Sequence, residues 1–482
     1  ALERETQLDV ALGDDTAARA AAEEAGRAAA RVADPALRAR ETAVAQLAAA
    51  RAALHGNPAT ARGLAAEAAR GLDASGFRFL LPDAALLRAR AALRLGDRDG
   101  AAREIDAGIA ALDLLRVEVG ARGIATGIDD PARQLFEEAV RLHAERGDAA
   151  GALAYAERAR VLDRNAEVDV RALQERLAGS GTVVVETFVL DDAVIVFAVD
   201  ERAVTAARHP IARTDLETLV TRGDAAALYD ALIRPAAAAV AQARYLIIVP
   251  DPRVSAVAFA ALRDGEHYLI ERVPVSIAPS ASTLTRAAVR KPVSVAAAAI
   301  GDPAGATLGA LPESAAEVEE VTRMYARGET LPRATFAALR DAAARADVVH
   351  IAGHTVREAT GDAALLLGGS ERVPWSDIAA QPFVHAETVA LSACETLRQP
   401  ARPDAHALSL GAAFLAAGAR YVVGTLTPIG DADARALFRE IHKQLAAGVE
   451  PAEAVRRAQL EEIAAHRDGW RAVGVMTNAI PF

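Results

Sequence analysis

The chain has 482 residues, a net charge of -11 and one cysteine. That length accommodates two or three domains, and the acidic balance gives no reason to expect nucleic acid or an anionic membrane as the main partner. A single thiol excludes an intramolecular disulfide and fits a reducing interior. No uninterrupted apolar span has transmembrane length, and no basic region followed by an apolar core opens the chain, so the expected compartment is the cytoplasm. The start, Ala1-Leu-Glu-Arg, reads as a cut inside a helix, with an upstream extension expected.

From residue 1 to about 175 the chain is rich in alanine, leucine, arginine and glutamate, which are strong helix formers. Its punctuation recurs: Gly13-Asp14, Gly56-Asn57, Gly96-Asp97 and Gly147-Asp148 each mark a turn. Ala18, Ala61, Ala101 and Ala152 follow at one fixed offset, and Ala25, Ala68, Gly108 and Ala159 at a second. Small side chains at helical offsets let paired helices approach closely, while the glycine permits the turn. This grammar resembles the tetratricopeptide repeat, although the spacing exceeds that family's period of about 34 residues. The resemblance implies three or four helical pairs in residues 1–175, Arg116 to Asp130 containing a loop or an added turn. Such an array either receives a peptide or regulatory protein or serves as a rigid spacer.

A helix through Val168–Leu177 leads to Gly179-Ser-Gly181, where the pattern switches to strands. Val183–Leu190 and Ala193–Val199 flank Asp191-Asp192 as a hairpin. Leu216 to Ala243 reads as helix, Arg244–Val249 as a buried strand stopped by Pro250-Asp-Pro252, and Val293–Ile300 as another strand. Ala315 to Arg327 is expected as a surface helix. Thr335 opens a helix through Arg345 that completes a βαβ crossover.

The crossover delivers Asp347-Val-Val-His-Ile-Ala-Gly-His354, a short apolar run ending in histidine. Glu387-Thr-Val-Ala-Leu-Ser-Ala-Cys394 is a second such run ending in the only cysteine. Runs of this kind suit neighbouring parallel strands, whose C-terminal edge is the usual place for ligands and chemistry. An imidazole and a thiol brought to one rim make a candidate dyad: the thiolate attacks a carbonyl and His354 handles the proton. Backbone amides at Gly353 and Cys394 are the natural donors to a developing oxyanion. The plain reading makes Cys394 a small buried hydrophobe and His354 a satisfied loop residue. His350 is expected in the core or supporting the site. A zinc site is the rival use of His350, His354 and Cys394, with His385 and His406 as further ligands, but the stretch between the first two histidines lacks the zincin glutamate and favours strand over helix.

His350-Ile-Ala-Gly-His354 together with Val389-Ala-Leu-Ser-Ala-Cys-Glu-Thr396 resembles the CHAT family of caspase- and separase-like cysteine peptidase domains. Ala258–Leu262, Tyr268–Glu271, Ala278–Ser280, Leu410–Val423 and Ala452–Gln459 extend the resemblance over roughly residues 180 to 480. It implies an α/β chain: a caspase-like α/β/α sandwich at 176–482 (hairpin and N-terminal half 181–303, catalytic half 304–482), preceded by an all-α repeat array at 1–175. It also implies a cysteine endopeptidase with catalytic His354, Cys394 and Gly353, no cofactor, and a protein or peptide substrate cut after a basic residue held by Glu395 and Asp404. A zymogen awaiting a partner and, as the alternative, a catalytically silent scaffold or interaction module stand beside it. Several positions depart from the family pattern. Val257-Ala258 replaces an expected proline, Thr355 and Leu397 stand where glycine is common, and His406 lies where acids are usual. Thr427-Pro-Ile-Gly-Asp431 lacks the expected tryptophan, with Asp431 placed to cap the helix that follows.

Overall fold

The computed structural model describes residues 2–120, 129–160, 169–300, 309–331, 334–358, 362–383, 385–399 and 408–482. The chain divides into two compact units, Ala1–Glu167 and Val168–Phe482. The expected loop at 116–130 falls mainly outside the described residues.

In the first unit eight helices are described: α1 (Leu2–Ala11), α2 (Asp15–Ala30), α3 (Pro35–Ala53), α4 (Pro58–Ala74), α5 (Leu81–Arg94), α6 (Arg98–Gly120), α7 (Asp129–Glu145) and α8 (Ala149–Arg158). The four glycine pairs are the turns between α1 and α2, α3 and α4, α5 and α6, and α7 and α8. At three of them the glycine takes a positive φ, 75° at Gly13, 77° at Gly96 and 73° at Gly147, a conformation that a Cβ would strain. The residue after it then caps the next helix: Asp14, Asn57, Asp97 and Asp148 accept from the amides of Ala17, Thr60, Gly100 and Gly151 at 2.9, 3.0, 2.8 and 2.9 Å. Ala18, Ala61, Ala101 and Ala152 have no exposed surface. Gly108 is needed because a Cβ there would lie 2.8 Å from the Ala85 Cβ. The unit is therefore an array of close-packed helices in which alanine at the crossings gives proximity and side chains such as Leu47, Leu72 and Phe136 fill the core.

The second unit is a mixed sheet of eleven strands: β1 (Thr182–Val189), β2 (Ala193–Val199), β3 (Val204–Pro210), β4 (Tyr245–Val249), β5 (Val275–Ile277), β6 (Ser294–Ala299), β7 (Arg327–Thr330), β8 (Val348–Ala352), β9 (Thr388–Ser392), β10 (Tyr421–Thr425) and β11 (Val473–Thr477). Their order is β7-β6-β8-β9-β10-β11-β5-β4-β1-β2-β3. β7 to β10 in that order are mutually parallel, β11 runs antiparallel to β10, and β1 to β3 form an antiparallel meander. Alternation along β6 sends Val295 and Ala297 toward the helix Ser314–Arg323, and Ala296 toward the helix Phe336–Ala343 on the other face. A sheet covered on both faces explains why its strands read as continuous apolar runs. No described helix is long and apolar enough to cross a membrane.

Three local expectations are corrected. The helix expected over 216–243 breaks at Gly223, whose φ is 65°, and Asp224 caps the next helix by accepting from the Ala227 amide at 3.0 Å. This is the same Gly-Asp device as in the array. The helix expected to reach Arg327 stops at Arg323, and Arg327–Thr330 becomes the exposed edge strand β7. Gly328 makes that reversal possible, since a Cβ there would lie 2.2 Å from the Thr322 carbonyl oxygen. Asp431 does not cap its own helix, Asp431–Ala446, which begins without a side-chain cap; it accepts from the Glu313 amide at 2.8 Å.

Glu450 gives the sheet domain a pH-dependent element. It is 5% exposed and caps the helix Pro451–Ala464 through the Glu453 amide at 2.9 Å. Burial pushes its carboxyl up to about 7, against the downward pull of the Glu453 and Ala452 amides. A carboxyl raised in the folded state stabilises fully below its unfolded value, and that contribution is lost as pH rises through about 7. The loss is about 3 kcal/mol. Glu450→Gln, neutral throughout, is expected to raise Tm at pH 8 and to leave it nearly unchanged at pH 4.5. An equal shift at both pH values would remove ionisation as the cause.

Candidate functional site

β8 and β9 are neighbours in register, Ile351 opposite Leu391 and Ala352 opposite Ser392, so both end at the same level. The Gly353 amide extends the ladder by donating to the Ser392 carbonyl at 3.0 Å. Gly353 also suits close packing, for a Cβ would lie 3.3 Å from the Ile300 Cβ. Beyond it His354 opens a strand, His354–Arg357, that leaves the main sheet to pair with Ala363–Leu366, itself paired with Arg372–Pro374. Cys394 lies two residues beyond β9, half-buried. The two segments thus reach one rim.

The rim is closed upon itself. Thr355 Oγ1 donates to the Cys394 carbonyl at 2.6 Å, so this hydroxyl ties down the cysteine backbone. Glu395 has a φ of 54°, a left-handed conformation that costs a non-glycine residue roughly 1 kcal/mol or more. Its neighbours hold it there. Thr425 Oγ1 donates to the Ala393 carbonyl at 2.6 Å, the Thr425 amide to Thr396 Oγ1 at 2.9 Å, and the Leu397 amide to the Thr425 carbonyl at 2.8 Å. Leu397 is 1% exposed. Gly411 and Gly424 leave it room: a Cβ at either would stand 2.6 or 3.1 Å from Leu397 Cδ2.

Glu395 is occupied by this chain's own arginines. Arg357 Nη2 donates to it at 2.8 Å, and Arg398 pairs with its other oxygen. Burial works against the charge, but the bonds from Arg357 and Arg398 outweigh it and hold the carboxyl below the ordinary carboxylate range. Sequence reading singled out the acid and missed both cations. Arg398, three residues on in the same loop, was a signal that could have found one of them. Arg357 becomes a partner only because the strand after His354 folds back along the rim. Asp404 and His406 lie outside the described residues.

The expectation of a working His–Cys endopeptidase is overturned. His354 Nε2 is buried without a hydrogen-bond partner, and no bond joins it to Cys394, so the proton acceptor that the thiol needs is not in place. The chain has no other cysteine, and no cluster of three or more His, Cys, Asp or Glu suited to a metal occurs among the described residues. The zymogen reading, which presupposed a dyad, goes with it. His350 is fully buried, on the side of β8 shared with Val348 and Ala352, and contacts His442.

The CHAT domain family model matches residues 222–473. No curated protein matches the chain. Among solved structures, the Saccharomyces cerevisiae separase–securin complex at 2.6 Å resembles it with a TM-score of 0.50 at 8% identity, covering 100% of this chain and 50% of that one. A second structure of the complex, at 3.0 Å, gives a TM-score of 0.49 at 9% identity, covering 99% and 49%. The chain thus spans about half the length of those structures, and at such identity the likeness of the first speaks for the fold alone.

Proposed function

The chain belongs to the CHAT domain family, and from that premise we propose that it is a catalytically silent member, a scaffold that binds proteins or peptides and does not cleave them. The observation that carries this reading is the self-satisfied rim. Thr355 holds the Cys394 carbonyl, Arg357 and Arg398 fill the one described carboxylate that a basic side chain would have sought, and His354 Nε2 has no partner. The imidazole is not coupled to the thiol, and the acid expected to hold a basic side chain is taken by the chain's own cations. The helical array, read as tetratricopeptide-like, is the proposed docking surface for the partner. Its exposed leucines, Leu8 at 59% on α1 and Leu12 at 73% in the turn that follows, support that assignment. A cytoplasmic setting belongs to the same proposal and rests on a framework built with a single thiol.

The test uses the full chain. Cys394→Ser and His354→Ala are expected to leave the partners recovered by crosslinking unchanged. Neither the wild type nor the variants should cleave peptide libraries, with or without those partners. Cleavage by the wild type that disappears in Cys394→Ser would overturn the reading.

A further inference from the structure

Beneath β8, away from the thiol rim, four polar side chains from four segments form one buried row. Glu317 comes from the helix Ser314–Arg323, His350 from β8, His442 from the helix Asp431–Ala446, and Tyr325 from the turn before β7. Both histidines are 0% exposed, Glu317 1% and Tyr325 7%. The Tyr325 hydroxyl lies 2.8 Å from His442 Nδ1, and His442 Nε2 lies 3.0 Å from His350 Nδ1. His350 Nε2 stands 3.1 Å from Glu317 Oε1 without the alignment of a hydrogen bond, which makes that link the loosest of the three. Phe438 meets the His350 ring edge-on, while Val295, Val321 and Val348 surround Tyr325. The row is linear rather than convergent, so it is not a metal cage.

Proton counting sets its direction. A carboxylate can only accept, so a neutral His350 must present Nε2–H to it and keep Nδ1 as acceptor. His442 must then donate from Nε2 and accept at Nδ1 from the tyrosine hydroxyl. Every link has one proton when both rings are neutral, and one added proton is also accommodated, with His350 donating from both nitrogens and His442 turning its Nδ1–H to the tyrosine oxygen. With both rings charged, two N–H groups would face each other across 3.0 Å. We infer that the row is a proton-sensitive joint, which seats the helices Ser314–Arg323 and Asp431–Ala446 on β8 while at most one of its rings is charged and releases them when acidification brings a second proton. Burial, followed by the neighbouring His350, holds the His442 ring well below the ordinary histidine range. The row goes beyond the scaffold reading and does not depend on it.

Most of the other charges facing these elements are already matched. Arg435 pairs with Glu313 and Glu320 between the two helices, and Lys443 with Glu440 on the outer face. Asp347, at the start of β8, accepts from Ser294 and lies 3.8 Å from His385. Arg439 sits on the same helix as His442 and completes the set. None stands between the two rings, so none supplies the charge that would make a second proton welcome there.

A ring that regains the ordinary value of about 6.5 only when the joint opens should raise the opening equilibrium about tenfold between pH 7.5 and 5.5. Amide exchange in the full chain, corrected for intrinsic rates, reads this directly. Protection over 315–323 and 432–446 is expected to fall about tenfold in the wild type and to stay nearly level in His442→Gln, with 452–464 showing no loosening in either. A fall of the same size in both proteins, or none in the wild type, would overturn the inference. Should His442→Gln fail to fold, the wild-type nitrogen NMR of the imidazoles decides. A neutral His442 in the folded chain at pH 5.5 upholds it, and a midpoint near 6.5 in the folded chain overturns it.

Discussion

Leu397→Ala is expected to lower the unfolding free energy of the sheet domain by about 2–5 kcal/mol, because the side chain fills a pocket that cannot collapse. Gly411, Gly424 and Gly474 line it and have no side chains to move inward, and a Cβ at Gly474 would stand 3.5 Å from Leu397 Cδ1. The cavity would therefore persist, which places the cost in the upper part of that range. Denaturant unfolding of the full chain measures it, and a loss below about 1 kcal/mol would mean that the post-cysteine loop is not seated through Leu397. The same substitution probes the rim. If Leu397 anchors the loop that carries Glu395 and Arg398, exchange at 393–399 should rise with the stability loss. The complementary change, Gly424→Ala, would press a methyl to 2.4 Å from Thr396 Oγ1 and should destabilise through crowding rather than a void.

Arg51→Ala is expected to destabilise the helical array by about 2–4 kcal/mol. Arg51 lies on α3, 9% exposed, and joins Glu3 on α1 to Asp83 on α5, the second at 3.0 Å. Its removal leaves two carboxylates facing each other with little solvent, which costs more than an exposed ion pair would. Thermal unfolding and amide exchange over α1 to α5 in the full chain are the readouts. Adding Glu3→Gln and Asp83→Asn to Arg51→Ala should recover part of the loss by removing the repulsion. A loss under about 0.5 kcal/mol for Arg51→Ala alone would show that the triad is solvated and that alanine packing carries the array unaided.

Much of the architecture was legible because it depends on local chemistry. The Gly-Asp and Gly-Asn pairs both end one helix and cap the next, functions that glycine's freedom at positive φ and a short acceptor side chain supply without help from distant residues. The hairpin around Asp191-Asp192 and the apolar runs that became β4, β6, β8 and β9 were readable for the same reason: burial on both faces leaves an uninterrupted hydrophobic run. Even the meeting of the His354 and Cys394 segments at one edge followed from two such runs forming parallel neighbours.

What those segments do at the edge depended on side chains separated in sequence but adjacent in space. Nothing in the sequence around Glu395 shows that the strand after His354 turns back and lays Arg357 against it, or that Thr355 reaches the Cys394 carbonyl. Leu397, noted in the sequence only as a departure from an expected glycine, fills room that Gly411, Gly424 and Gly474 leave on three other elements. His442 occupies an apolar stripe with Phe438 and Leu445, and only the packing of its helix over β8 brings it to His350. By itself the sequence determined the helical array, the strands and the shared rim, since turn chemistry and hydrophobic period act over a few residues. Tertiary structure alone decided that the rim is closed and that Glu317, His350, His442 and Tyr325 form a buried row under β8, because a hydrogen bond or an ion pair depends on distances of about 3 Å that no spacing along the chain encodes.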